Sequence, residues 1–274
     1  LENQMDYFID PITQDILKEM KLPQEFNPLL ERAASMLDSD NYMHELDTSG
    51  SLIRGYERFN GAVYREMVRG IRQFKNSRNP SRAGVAINPY AVITSIQTDP
   101  SISLVEDSNP VRNVKEKENV TASGVGGRSK RSMVRRHRAF HDSDVGIRSE
   151  ANVDSGDTGI NYYLTANPGI TSLRGTVEGK DPSKATVTQL LSTPGNLAPF
   201  TTYDDGKRVS FVSIQQEHAI MAGGTRAAPL STGYDVVLAH RTDPMFATAA
   251  RQDGKVIAIG TEDMQVRYKD GSTE

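Results

Sequence analysis

Six cations stand close together near the middle of this chain: Arg128, Lys130, Arg131, Arg135, Arg136 and Arg138. No carboxylate occurs anywhere from residue 119 to residue 141. All six side chains are charged at physiological pH, so the stretch repels itself unless something anionic lies against it. Gly124, Gly126 and Gly127 come just before the run. Without Cβ atoms they let the backbone turn through positive φ and come close to a partner. Such residues hold phosphates; they do not make or break bonds. A solvated basic loop is the plainer alternative, and it is the usual fate of a charge run.

Other chemistry is poorly supplied. Residues 124–130 form no Walker A loop, because no lysine follows the last glycine, and no dinucleotide fingerprint, because Ser129 stands where the third glycine belongs. The acids of Asp142-Ser-Asp144-Val-Gly146 and Asp154-Ser-Gly-Asp157 lack the ligand alternation and closing glutamate of a calcium loop. The chain contains no Asp-x-Asp-x-Asp, and no metal ligands are assigned. Cysteine is absent, which excludes disulfides and thiolate metal sites.

The elements that must position the basic run fall into two styles. Before it the periodicity is helical. Residues 11–20 carry Ile12, Ile16, Leu17 and Met20 at helical spacing, and Pro23 ends that segment. Residues 27–37 form a second helix with Asn27 as cap and Pro28 at the first helical position. Residues 56–74 are the strongest helix, with Tyr56, Phe59, Val63, Met67, Ile71 and Phe74 along one face expected to be buried. Asn88-Pro89 opens a helix running to about Gln97, and residues 107–110 make a turn. After residue 161 the pattern is β-like, with short runs at 162–165, 209–214, 235–239 and 255–259 bounded by Gly, Pro and Asp.

At 274 residues, with 36% hydrophobic and 24% charged residues, the chain can form one large domain or two to three subdomains. A net charge of −3 makes the basic run a local feature of a mildly acidic chain, so its partner touches one region. No apolar stretch approaches the roughly 20 residues that cross a membrane. The start on Leu1 and the stop soon after a strand-like segment fit a processed or separately encoded piece.

Asn109-Pro110, Gly124-Val-Gly126-Gly127, the basic stretch ending in Arg138-Ala-Phe-His141, then Gly146 and Gly156, follow one another at separations that need no gap. This order resembles the β subunit of multisubunit DNA-dependent RNA polymerases around its fork loop, and most resembles the split β subunits of giant bacteriophages. Leu104, Val105 and Glu106 resemble the stretch that lines the RNA–DNA hybrid channel. The likeness returns at residues 225–230 and 246–256 and fails between them, and where the family has a longer loop before this site only residues 217–223 stand here.

The resemblance implies a mixed α/β (α+β) fold of several interlocked subdomains of a larger β subunit. Its helical N-terminal part would lead through an irregular fork region to an antiparallel, β-rich C-terminal part. The divisions are residues 1–50, 51–110 lining the core, 111–160 contacting nucleic acid, and 161–274 leading toward the flap. It implies a polymerase subunit that is inactive alone, with Asn109, Gly126, Gly127, Arg128, Lys130, Arg131, Arg135, Arg136, Arg138 and His141 against DNA or RNA. Arg226 or His218 would serve the phosphates of an incoming nucleotide. Mg2+ would be held by carboxylates of a β′ chain, since polymerase chemistry uses two metal ions. Partners would be other β-like and β′-like subunits, template and transcript, with no membrane, in the cytoplasm of the infected host or in the virion. A phage structural or nucleic-acid-binding protein with a basic loop and no part in synthesis is the alternative.

Overall fold

The computed structural model of the chain describes residues 9–39, 46–48, 51–55, 57–79, 84–124, 126–154, 156–170, 174–177, 181–218, 223 and 230–274. They fall into two compact units, Leu1–Asp47 and Thr48–Glu274. The fold is mixed, with helices and two small antiparallel sheets.

In the first unit, helix α1 spans Pro11–Glu19. It starts there because the Asp10 carboxylate accepts the Thr13 N–H at 2.8 Å, and the first-turn position of Pro11 costs no hydrogen bond. Helix α2 spans Phe26–Asp38 and begins earlier than the Asn27-Pro28 pair suggests, with Glu25 at the cap and no side-chain cap bond. Pro28 then sits within the first turn, where N–H groups have no intrahelical partner anyway.

The second unit opens with α3, Glu57–Lys75, which packs against α4, Pro89–Gln97. The buried line of α3 is Ala62, Glu66 and Gly70, not the large apolar stripe that periodicity singles out. Phe59, Met67 and Ile71 are exposed, Val63 and Phe74 are half-buried, and Tyr56 lies outside the described residues. The cause is close approach of backbone. A Cβ on Gly70 would stand 2.7 Å from the Ala86 carbonyl oxygen, so only a small residue admits the neighbouring chain. Glu66 then meets that chain directly, accepting the Asn88 N–H at 2.8 Å and Arg69 Nε–H at 2.7 Å. The displaced stripe leaves apolar surface open along the helix.

The Arg69 hydrogen bond and the Asn88 N–H hold the Glu66 carboxyl down at about 2. A folded-state pKa below the unfolded one contributes stability above the unfolded value, and that contribution fades as pH falls through the folded one. Thermal unfolding of Glu66→Gln is therefore expected to depend less on pH than the parent below about pH 4.5, the two curves converging toward pH 2.

Residues 107–110, read from sequence as a turn, start a further helix, α5, Pro110–Lys117. Asn109 Oδ1 accepts the N–H groups of Val111 at 2.9 Å and Arg112 at 3.3 Å, and Pro110 occupies the first helical position. Next come β1, Asn119–Thr121, β2, Arg148–Asn152, and β3, Asn161–Leu164, an antiparallel sheet in the order β1-β3-β2. Asn119 faces Tyr163 and Thr121 faces Asn161 across β1 and β3.

Two of the four β-like runs of the C-terminal part are helices. Around residues 209–214 lies α8, Gly206–Gln215, after the short helices α6, Val187–Leu190, and α7, Thr193–Leu197. Around residues 235–239 lies α9, Tyr234–Thr242. Runs of five or six apolar residues carry no period that separates strand from helix, and packing decides. In α8 the buried pair is Val209 and Ser213, in α9 Leu238 and Thr242, each four residues apart on one helical face. The Asp205 carboxylate starts α8 by accepting the Lys207 N–H at 3.2 Å. β structure in this part is held by β3 and by a terminal hairpin of β4, Gly254–Ile259, and β5, Met264–Tyr268. Val111 and Val114 of α5 meet Leu238 of α9, with Leu197 of α7 against them. α8 lies on β2 and on α7.

Candidate nucleic-acid interface

The basic run leaves the sheet at the end of β1 and returns at β2, so both of its ends are anchored. Its first turn is tight. Gly127 N–H donates to the Gly124 carbonyl at 3.0 Å, and Arg128 N–H donates to the Ala122 carbonyl at 2.9 Å. Gly124 and Gly126 take φ of +112° and +77°, which side chains other than glycine rarely adopt. Gly127 serves a different need, since a Cβ there would overlap the Ala122 carbonyl oxygen. Gly127→Ala is accordingly expected to break the Arg128 N–H bond while leaving the sheet folded. Faster amide exchange at Arg128, with the amides of β3 unchanged, would be its measure.

The six cations divide in two groups. Arg128, Arg131 and Arg135 are exposed and have no ion-pair or hydrogen-bond partner for their guanidinium groups among the described residues. Arg136 is exposed beside them. Lys130 and Arg138 brace the loop. Lys130 Nζ pairs with Asp157 at 2.5 Å. Arg138 donates through Nε to the Met133 carbonyl at 3.0 Å and through Nη1 to the Gly156 carbonyl at 2.8 Å, folding the loop on the segment before β3. Arg148 of β2 lies over the rings of Phe140 and Tyr162 at 5.8 and 5.3 Å and fixes the loop's far end to the sheet. Burial pushes the Tyr162 hydroxyl up to about 12, with the Asp144 charge adding to the push and Arg148 opposing it.

His141 and Asn109 sit deeper. His141 caps the short turn Asp142–Asp144, with Nδ1 receiving the Ser143 N–H at 3.2 Å and the Asp144 carboxylate receiving the His141 N–H at 3.0 Å. Asp144 also accepts the Thr48 hydroxyl at 3.2 Å. Asn109 is buried, and its amide nitrogen reaches the Glu217 carbonyl at 2.8 Å while its oxygen caps α5. His218 follows α8, exposed, one residue beyond that contact. Arg226 lies outside the described residues. Glu106 is held by Ser108 and Arg112, whereas Leu104 and Val105 are open to solvent, Leu104 with 93% of its surface exposed.

Sequence reading missed the polar groups that hold this frame. Lys115 of α5 is buried, pairs with Glu217 and lies 4.6 Å from the centre of the Tyr163 ring. Glu118, the cap residue of α5, is buried between helices. Its Oε1 accepts Thr193 Oγ1–H at 2.9 Å and Arg241 Nη2–H at 2.8 Å, and Arg241 Nη1 donates to Thr193 Oγ1 at 2.8 Å. Burial pushes the Glu118 carboxyl above its ordinary range against the pull of Arg241, and the nearby Glu150 charge adds to the push. Glu150 itself accepts Ser192 N–H at 2.8 Å and its hydroxyl at 2.5 Å. The partners lie between 42 and 123 residues apart in the chain, so no local pattern signals them. Among the described residues no three His, Asp or Glu side chains converge to hold a metal, and no helix is long and apolar enough to cross a membrane.

Residues 1–131 match the family model of bacteriophage RNA polymerase. The matched part runs from before α1 through the glycine turn to Arg131 and stops ahead of Arg135, Arg136 and Arg138. No curated protein matches the chain. Over these residues the chain is similar to bacteriophage RNA polymerases.

Proposed function

We propose that the chain is a β-like subunit of a DNA-dependent RNA polymerase, one of several pieces of a divided phage β. In this reading its basic loop lies against the phosphate backbone of template DNA or of the RNA–DNA hybrid. The observation that carries the reading is the placing of Arg128, Arg131 and Arg135. They are exposed and without partners among the described residues, on a loop that Lys130, Arg138 and Arg148 brace to a sheet, inside a chain whose first 131 residues match phage RNA polymerases. Cations on a braced loop give affinity without reading sequence, as an enzyme that moves along any template requires. The open apolar stripe of α3 and the exposed Leu104 fit a chain that is covered by companion subunits.

Bond formation belongs to another chain. The residues here do not fit the two metal ions that nucleotidyl transfer uses, since no acidic triad occurs in the sequence. A β′-like subunit would supply Mg2+, and this chain would hold the nucleic acid in place. Its setting would be the infected cell's cytoplasm or the virion. Of the two residues proposed for nucleotide phosphates, His218 is the described one, exposed beyond α8.

Affinity purification of the tagged chain from infected cells tests this. It is expected to bring down, in equal proportion, a chain carrying Asp-x-Asp-x-Asp and an activity that makes RNA on a DNA template. Recovery with virion structural proteins, and without that chain, would favour a structural or simple nucleic-acid-binding role.

A further inference from the structure

Arg54 stands 74 positions before Arg128 in the chain, yet the fold brings it to the glycine turn. A Cβ built on Gly126 would lie 3.8 Å from Arg54 Nη2 and 3.9 Å from Nη1, so the guanidinium rests over the bare face of that glycine. The segment that leads into Arg54 is fixed by two backbone bonds. Ile53 N–H donates to the Gly175 carbonyl, and Val177 N–H donates to the Ser51 carbonyl, each at 2.8 Å. Any side chain at Gly175 would overlap the Ile53 carbonyl oxygen, which keeps the two strands close.

The neighbouring Arg58 offers a contrast. It also reaches the turn, with Nη2 3.4 Å from the position of a Gly124 Cβ, but its charge is matched by Asp99. Burial draws the Asp99 carboxyl up, and the hydrogen bonds from Arg58 and Ser101 outweigh it and hold the group below its ordinary range. Arg54 is exposed and has neither ion pair nor hydrogen bond among the described residues. A cation held beside Gly126, two residues before the unpaired Arg128, repels that charge until an anion arrives.

We infer that Arg54 is a further nucleic-acid-binding residue, forming with the turn of residues 124–127 and Arg128 a composite seat for a backbone phosphate. The inference rests on the proposed reading of the basic loop and adds to it a residue from a separate stretch of chain. Glycine at position 126 then has two uses: it takes the positive φ of the turn, and it lets the guanidinium and a phosphate share one face. The ligand is a phosphodiester backbone, which template DNA and the RNA of a hybrid both provide.

The test uses the full chain and two fluorescent probes of about 20 base pairs, a DNA duplex and an RNA–DNA hybrid, titrated over a range of salt. Arg54→Ala is expected to reduce the salt slope of binding by about one unit, and Arg54→Lys to keep it, because one phosphate contact releases about one counterion. Loss with both probes marks a contact to the strand that they share; loss with the hybrid alone marks the RNA strand. An unchanged slope on both probes overturns the proposal. So does a lower melting temperature for Arg54→Ala with an unchanged slope, which makes the residue a packing element. Arg135→Ala combined with Arg136→Ala serves as the reference. If that pair lowers the slope while Arg54→Ala does not, the inference fails and the reading of the loop stands; if neither does, both fall.

Discussion

Replacing Glu118 by alanine is expected to lower the unfolding free energy by about 3 kcal/mol, because the change removes one partner of a buried ion pair. Its Oε1 receives Arg241 and Thr193 together, so alanine strands both at the place where α5, α7 and α9 meet. Glu118→Gln keeps an oxygen at that point and should cost less, near 1 kcal/mol, the net worth of an ordinary hydrogen bond. Both variants also differ from the parent in pH dependence. Burial raises the Glu118 pKa in the folded state, so the native chain binds this proton more tightly than the unfolded one. That linkage favours the fold below the unfolded pKa and is lost as pH rises through the raised value; neither variant has it. Urea unfolding of all three proteins at two pH values is the measurement. Alanine and glutamine losing equal stability would place the energy in the charge, and losses below about 0.5 kcal/mol would mean that Val111, Val114 and Leu238 hold the helices by themselves.

What could be read from sequence has a physical boundary. Caps were legible, because a cap is local: Asn88-Pro89 and the segment after Asp10 begin helices where their side chains satisfy first-turn N–H groups. Asn109-Pro110 carries the same signal, and a turn reading overlooked that the same two residues can open a helix. The strands at residues 161–164 and 254–259 were legible as β-branched and aromatic runs. Residues 209–214 and 235–239 were not, since which four-residue pair lies inward depends on β2, α7 and α5, which are remote in the chain. The α3 face shows the same limit in another form. Periodicity located the helix, but the approach of Ala86 to Gly70 chose the face, and no pattern within the helix records that neighbour. Of the candidate site, the exposed arginines were legible from charge and glycine content. The division of the six into cations that brace the loop and cations that do not was not, because Asp157 and the carbonyl of Gly156 lie beyond the run.

That division sets the largest functional effect. Arg135→Ala with Arg136→Ala, within the assembled polymerase, is expected to lower the salt slope of template binding by about two units and to cut transcript at moderate salt. Lower salt should restore part of the loss, since the remaining phosphate contacts release their counterions more favourably into dilute salt and binding tightens again. Assembly and melting temperature should hardly move. Both residues are exposed on a loop that Arg138 and Arg148 hold in place, and substitutions of exposed cations usually change stability by less than about 0.5 kcal/mol. Arg138→Ala provides the opposite case. It removes bonds to the carbonyls of Met133 and Gly156, so it should loosen the whole run and reduce binding together with order in the loop. Full transcription by the double variant at every salt would leave Arg135 and Arg136 as solvated surface. Failure of that variant to assemble would instead pair them with acids on a companion subunit, and the phosphate-binding role would then rest on Arg54, Arg128 and Arg131.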